Sequence, residues 1–269
     1  MQTLQNTSKW YQNAWAALMF FTRLPFWRIY QPPKDSFRAV VEYWSMAGWI
    51  TGGLCALSFV VFSYIFPVYI AVILAFCIRV LLTGGLHEDG LSDFFDGFGG
   101  GRDRQRILDI MKDSSTGSYA LIGMVLYYAL LFTTLSSIKN TELIFFIILA
   151  ADPFSKMLSS IQTQLLPYAR TEEQSKAHNI YRKMSILPEI ISAVAGLLPL
   201  ALLYFEFFRC YQVFWAFIAI PCVVCGALMW LLKLKIGGYT GDCCGALFLL
   251  VELSFYLSML VFVRSIGFC

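Results

Sequence analysis

The stretch GGLHEDGLSDFFDGFGGGRDR, residues 84–104, places Asp89, Asp93 and Asp96 with Glu88 and one of the two histidines, His87, among glycines. The chain around it is of the opposite character. Hydrophobic residues make up 58% of the 269 positions, aromatic residues 17% and charged residues only 14%. The mean hydropathy of +0.66 is that of a membrane protein, not of an ordinary soluble domain. Acid concentrated at one point of such a chain marks the place where polar chemistry meets the bilayer.

A spanning helix needs about 20 mostly apolar residues. Seven windows meet or approach that length: about 43–66, 67–82, 117–138, 142–165, 186–207, 211–234 and 243–264. They recur along the whole chain, so one cleaved leader does not account for them. The second is short and joins the first through a turn at Pro67. A further stretch, about 10–27, is interrupted by Arg23 and Pro25 and reads as an interfacial or re-entrant helix instead of a span. The predicted fold is an all-α polytopic membrane bundle of about seven helices plus this N-terminal helix. No repeat or second domain is evident, so residues 1–269 are expected to form one membrane-embedded catalytic domain.

Basic residues give the orientation. With the N-terminus in the cytoplasm, fifteen of the 20 Lys and Arg fall on cytoplasmic segments, among them Arg102, Arg104, Arg106, Lys112, Arg170 and Lys235. Three (Lys139, Arg209, Arg264) fall outside, and Arg79 and Lys156 lie within apolar windows. The acidic stretch then belongs to a cytoplasmic loop, 83–116. The net charge of +3 gives no case for nucleic acid. The eight cysteines show no paired zinc spacing, and Cys222 and Cys225 read as small apolar residues of a helix.

Asp89, Asp93 and Asp96 are spaced i, i+4, i+7 and share one helix face. Three like charges there repel one another, so the row reads either as ligands with a hard cation among them, which suits Mg²⁺ or Mn²⁺, or as a solvated acidic face with helix-capping aspartates. The glycines on either side suggest close backbone approach to a phosphate. Arg102, Arg104, Arg106 and Lys112 follow directly. Carboxylates for a cation beside guanidinium groups for phosphate oxygens point to metal-assisted phosphoryl transfer. Within the spans, Asp152 and Lys156 read either as a self-neutralising pair or as a cation reaching toward an anionic substrate. Glu252 reads as an interhelical hydrogen bond or a functional acid. Asp242 reads as a helix cap or as a further carboxylate at the cation and phosphate site. His178 reads as solvated surface.

Gly84-Gly85-Leu86-His87-x-Asp89-Gly90-Leu91-x-Asp93-x-x-Asp96-Gly97, then Arg102 and Ile110-Met111-Lys112-Asp113-Ser114, closely resembles the cobalamin synthase family, the adenosylcobinamide-GDP ribazoletransferases. Phe20-Phe21-Thr22-Arg23-Leu24-Pro25, Ser155-Lys156, Pro167-Tyr168-Ala169-Arg170 and Gly237-Gly238-Tyr239-Thr240-Gly241-Asp242 extend the likeness in the family's order. Glu88 stands where an apolar residue is common, and Lys156 where arginine is usual, which removes a bidentate fork. The resemblance implies a multi-pass enzyme of the prokaryotic cytoplasmic (inner) membrane, with the bilayer and small molecules as its partners. It implies that adenosylcobinamide-GDP is joined to α-ribazole or its 5′-phosphate with Mg²⁺ and release of GMP. Asp89, Asp93 and Asp96 are then the metal ligands. Asp113 or His87 is the base, and the sequence does not rank one over the other. Arg102, Lys112, Lys156 and Asp242 are the phosphate and substrate contacts. Two other readings are a CDP-alcohol phosphotransferase, which Asp93-x-x-Asp96-Gly97 echoes, and a transporter using Asp152, Lys156 and Glu252.

Overall fold

A computed structural model of the protein describes residues 9–170 and 181–267. His178 lies outside them. The N-terminal helix α1 (Trp10–Phe21) has 12 residues, too few to cross a bilayer, and stops where Thr22 turns to extended backbone. A 3₁₀ segment, Lys34–Tyr43, leads into α2 (Trp44–Ser63). Pro67 starts α3 (Val68–Thr83) at the position where a missing N–H costs nothing. Then come α4 (Leu86–Gly100) and α5 (Arg104–Ile110). The chain continues through α6 (Ser118–Ser136), α7 (Thr141–Ser160) and the short α8 (Gln162–Leu165). It ends with α9 (Ile186–Leu203), α10 (Phe214–Ile236) and α11 (Gly241–Ser265).

Six of the described helices are long and apolar enough to cross a membrane, and a seventh span results if α3 and α4 are counted as one bent element. The all-α bundle expected from the windows is therefore the observed fold. The windows failed at residues 83–116, expected as a loop. Most of that stretch is helix, in α4 and α5. Gly84 and Gly85 both take left-handed backbone, φ 68° and 69°, and there the axis bends by 94° between α3 and α4. A side chain at either position would be strained, which is why the pair of glycines sits at this corner.

Gly90 and Gly245 let α4 lie against α11. A Cβ on Gly90 would stand 2.7 Å from the carbonyl oxygen of Asp242, and one on Gly245 3.0 Å from the Cα of His87. Gly48 and Gly52 do the same for α2 against α7, where a Cβ would meet Pro153 Cα at 2.8 Å and Asp152 Cβ at 2.7 Å. Small residues four apart are the usual way for helices in lipid to approach closely. The helices α7 and α11 run through the middle of the bundle, with 72% of the most apolar part of each buried.

Two ion pairs lie inside this core. Lys156, 0% exposed, holds Nζ 2.6 Å from Asp152 Oδ1 and donates to Thr51 Oγ1 at 2.6 Å. Arg79 Nη1 donates to Glu252 Oε1 at 2.5 Å, and the Tyr256 hydroxyl donates to the same oxygen at 3.0 Å. Intramembrane charges persist only when paired in this way. Asp152 and Lys156 thus form the self-neutralising pair, and Glu252 the interhelical bond. Glu88 also turns inward, its Oε1 4.0 Å from Arg79 Nη2, so its charge is directed at the core arginine and not at the aspartate row.

Candidate active site

The site starts from a backbone pairing between two loops. Tyr168 and Tyr239 form an isolated parallel bridge, with Ala169 N–H donating to the Tyr239 carbonyl at 2.8 Å and Tyr239 N–H to the Pro167 carbonyl at 3.0 Å. A Cβ on Gly238 would collide with the Pro167 carbonyl oxygen, so this register requires glycine. Arg104 fastens the pair to α5, donating from Nε to Ile236 O at 2.9 Å and from Nη2 to Ala169 O at 2.7 Å. The bridge carries Arg170 to the start of α11, where its Nη1 lies 3.6 Å from Asp242 Oδ2. Thr240, not Asp242, caps that helix, accepting the Cys243 N–H at 3.3 Å.

A cleft of about 240 Å³ opens above this point. Phe20, Phe21, Trp44, Tyr168 and Tyr181 make its aromatic walls, and His87, Asp89, Arg170 and Asp242 supply its polar groups. An apolar cavity with a few convergent polar groups is the usual form of a small-molecule site. His87 is 3% exposed and its Nε2 has no hydrogen-bond partner among the described residues. Its ring centroid lies 4.9 Å from that of Phe248, 5.6 Å from Trp44 and 6.0 Å from Phe21. Burial pushes the Tyr181 phenol well above its ordinary range, so it stays protonated.

The predicted site residues divide. Asp89 is exposed and lines the cleft, and Asp93 follows one turn later, partly exposed. Asp96 is buried and faces the other way. Its Oδ2 accepts the Gly117 N–H at 2.5 Å and its Oδ1 the Ala120 N–H at 2.8 Å, so it caps the start of α6. Asp113 is exposed, in a separate depression beside Asp96 and Arg106. Its Oδ1 accepts from Ser115 N–H at 2.9 Å and Ser115 Oγ at 2.8 Å, and these two donors hold its carboxyl below the ordinary range. Lys112 lines a basin beyond Arg170, while Arg102 is exposed and lines none of these three hollows.

Lys156 lies beneath the cleft, its Nζ 4.9 Å from the centroid of Phe248, the ring on which His87 also rests. It contacts Asp152 and Thr51 and is absent from the cleft lining. The glycines after the aspartates are not a phosphate cradle. Gly97, Gly99 and Gly100 are helical, and Gly97 and Gly99 make room for Met111 and Tyr119. Among the described residues, no three His, Cys, Asp or Glu side chains converge to hold a metal ion. Mg²⁺ at phosphoryl-transfer sites is held by one or two carboxylates together with substrate phosphates and water. Asp89 and Asp93, one turn apart, fit that smaller set. Arg170 and the aromatic walls escaped the reading of the sequence. Its motifs contained Arg170, but 72 positions separate it from Asp242 and only the Tyr168–Tyr239 bridge joins them.

The family model for cobalamin-5-phosphate synthase matches residues 13–260. The chain belongs to this family. Members similar to it include the adenosylcobinamide-GDP ribazoletransferase of Leptospira interrogans, 32% identical over 93% of this chain and 96% of the relative. The protein of the same name from Vibrio parahaemolyticus is 34% identical over 93% and 92%. That from Shewanella woodyi is 32% identical over 91% and 94%. No solved structure matches. Matches across nearly the whole length set aside the CDP-alcohol phosphotransferase and transporter readings. This cobalamin-5-phosphate synthase family member is therefore an enzyme of the transferase class, built into a membrane bundle.

Proposed function

We propose that the protein joins adenosylcobinamide-GDP to α-ribazole or its 5′-phosphate in the cleft that brings His87, Asp89, Arg170 and Asp242 together. That convergence, at a bundle end rich in basic residues, is the observation that carries the reading. A ribose hydroxyl of the acceptor attacks the phosphorus that bears cobinamide. A new P–O bond forms, the phosphoanhydride bond breaks, and GMP departs with the bridging oxygen. The hydroxyl proton passes to a base of the protein.

His87 suits that role better than Asp113. It lines the cleft beside Asp89, whereas Asp113 stands in a different depression with its oxygen occupied by Ser115. The aromatic walls exclude water from the reacting phosphorus, which protects the anhydride from hydrolysis. Asp89 and Asp93 would hold Mg²⁺ against the substrate diphosphate, where it offsets charge on the leaving phosphate. Lys156 supports the cleft floor from below. The whole chain acts as one catalytic domain in the cytoplasmic membrane of a prokaryote, with the cleft on the cytoplasmic side, in agreement with the fifteen-to-three distribution of basic residues.

The test is GMP release by the purified protein in mild detergent from adenosylcobinamide-GDP and α-ribazole 5′-phosphate, with and without Mg²⁺. Mg²⁺-dependent release with a new corrinoid product is expected. Folded protein that releases no GMP overturns the proposal.

A further inference from the structure

Arg170 lines two hollows at once. One is the aromatic cleft; the other is an adjoining basin of about 430 Å³ whose walls include Arg104, Gln105, Asp109 and Lys112. Tyr168 is the other residue shared by both. The two differ in character. The basin holds three cations, Arg104, Lys112 and Arg170, against one carboxylate, Asp109, to which Gln105 donates at 2.9 Å. The cleft has aromatic walls and holds one cation, Arg170, against two carboxylates, Asp89 and Asp242.

Arg170 is built into place. It is 8% exposed, and its Nη2 donates to the Leu108 carbonyl at 2.9 Å. At 3.6 Å its Nη1 is too far from Asp242 Oδ2 for a hydrogen bond, so the two charges meet without a tight contact. A guanidinium at the junction of an aromatic and a cationic hollow is suited to a phosphate shared between them. The basin is also far larger than a lone phosphate requires.

We propose that this basin is a subsite for a nucleoside 5′-monophosphate, with Arg170 as the phosphate contact at its junction with the cleft and Lys112 as the outer cation. The inference rests on the proposed function. That reaction contains two groups of this chemistry, the departing GMP and the 5′-phosphate form of the acceptor.

The experiment is calorimetric titration of the full-length protein in detergent with GMP, with α-ribazole and with α-ribazole 5′-phosphate. It uses the wild type, Lys112→Gln, Arg170→Lys and Arg170→Gln. Lys112 is exposed, so its substitution leaves the fold intact and keeps the test informative if Arg170→Gln fails to fold. If the basin takes the departing half, GMP affinity falls about 10-fold or more in Lys112→Gln and Arg170→Gln, the loss expected for one charge-assisted contact. Arg170→Lys falls between, because lysine retains charge but not the fork. If the basin takes the acceptor, the 5′-phosphate binds more tightly than free α-ribazole in the wild type alone. Binding of uncharged α-ribazole is unchanged in every variant. Equal nucleotide affinities in wild type and folded variants, or no nucleotide binding by the wild type, overturn the inference. The titration reads the basin without turnover, so it is separate from a failure of the proposed reaction, which shows as absent GMP release from the wild type.

Discussion

Asp96 Oδ1 accepts the backbone N–H of Ala120, 24 residues further along the chain, at 2.8 Å, while Oδ2 accepts that of Gly117. The third aspartate of the acidic row thus ties α4 to α6. Asp96→Ala should lower stability by about 1–3 kcal/mol, the range for a helix cap with charge-assisted bonds. Thermal melting in detergent checks this; an unchanged melting temperature would mean that the cap contributes nothing.

Asp89 and Asp93 carry the opposite expectation. Asp89→Asn and Asp93→Asn should each cut Mg²⁺-dependent GMP release by about 100-fold or more, as for loss of a group acting on transition-state charge, and Asp89→Asn, exposed in the cleft, should leave melting unaltered. Turnover that survives both substitutions would move the metal away from these residues.

Gly90→Ala would set a methyl 2.7 Å from the Asp242 carbonyl oxygen and force α4 away from α11. Overpacking of this kind costs about 1–3 kcal/mol. Because both His87 and Asp242 sit on these two helices, activity should fall with stability, measured by melting and GMP release on the same preparation.

Lys156→Met leaves Asp152 buried without its cation and should destabilise the bundle by about 3–5 kcal/mol. The double variant Asp152→Leu, Lys156→Met should regain much of that stability. If it also regains turnover, Lys156 is structural. A stable but inactive double variant would return Lys156 to the substrate.

Ser115 donates to the Asp113 carboxyl twice and holds it below the ordinary carboxylate range. A lowered folded pKa contributes stability above the unfolded value, lost as the pH falls through the folded one. That window is acidic, far from neutrality. Asp113→Asn should therefore leave GMP release near neutral pH unchanged, and His87→Gln should lower it by about 100-fold or more. Turnover that is lost in Asp113→Asn and survives in His87→Gln would reverse the assignment of the base.

By itself the sequence determined the class of fold, because long apolar windows and the distribution of basic residues follow directly from the cost of placing peptide and charge in lipid. It also located the acidic stretch, and its motifs resembled the family to which the chain belongs. Only the tertiary structure decided what the individual acids do. Spacing i, i+4, i+7 puts Asp89, Asp93 and Asp96 on one face, but it cannot reveal that the backbone donors of Gly117 and Ala120 meet the third. Composition marked the glycines, yet whether they receive a phosphate or a neighbouring helix depends on what packs opposite, and for Gly90 and Gly245 it is a helix. The pairing of Arg170 with Asp242 was hidden for the same reason: it arises from a bridge between two loops distant in the chain, and local sequence carries no record of such contacts.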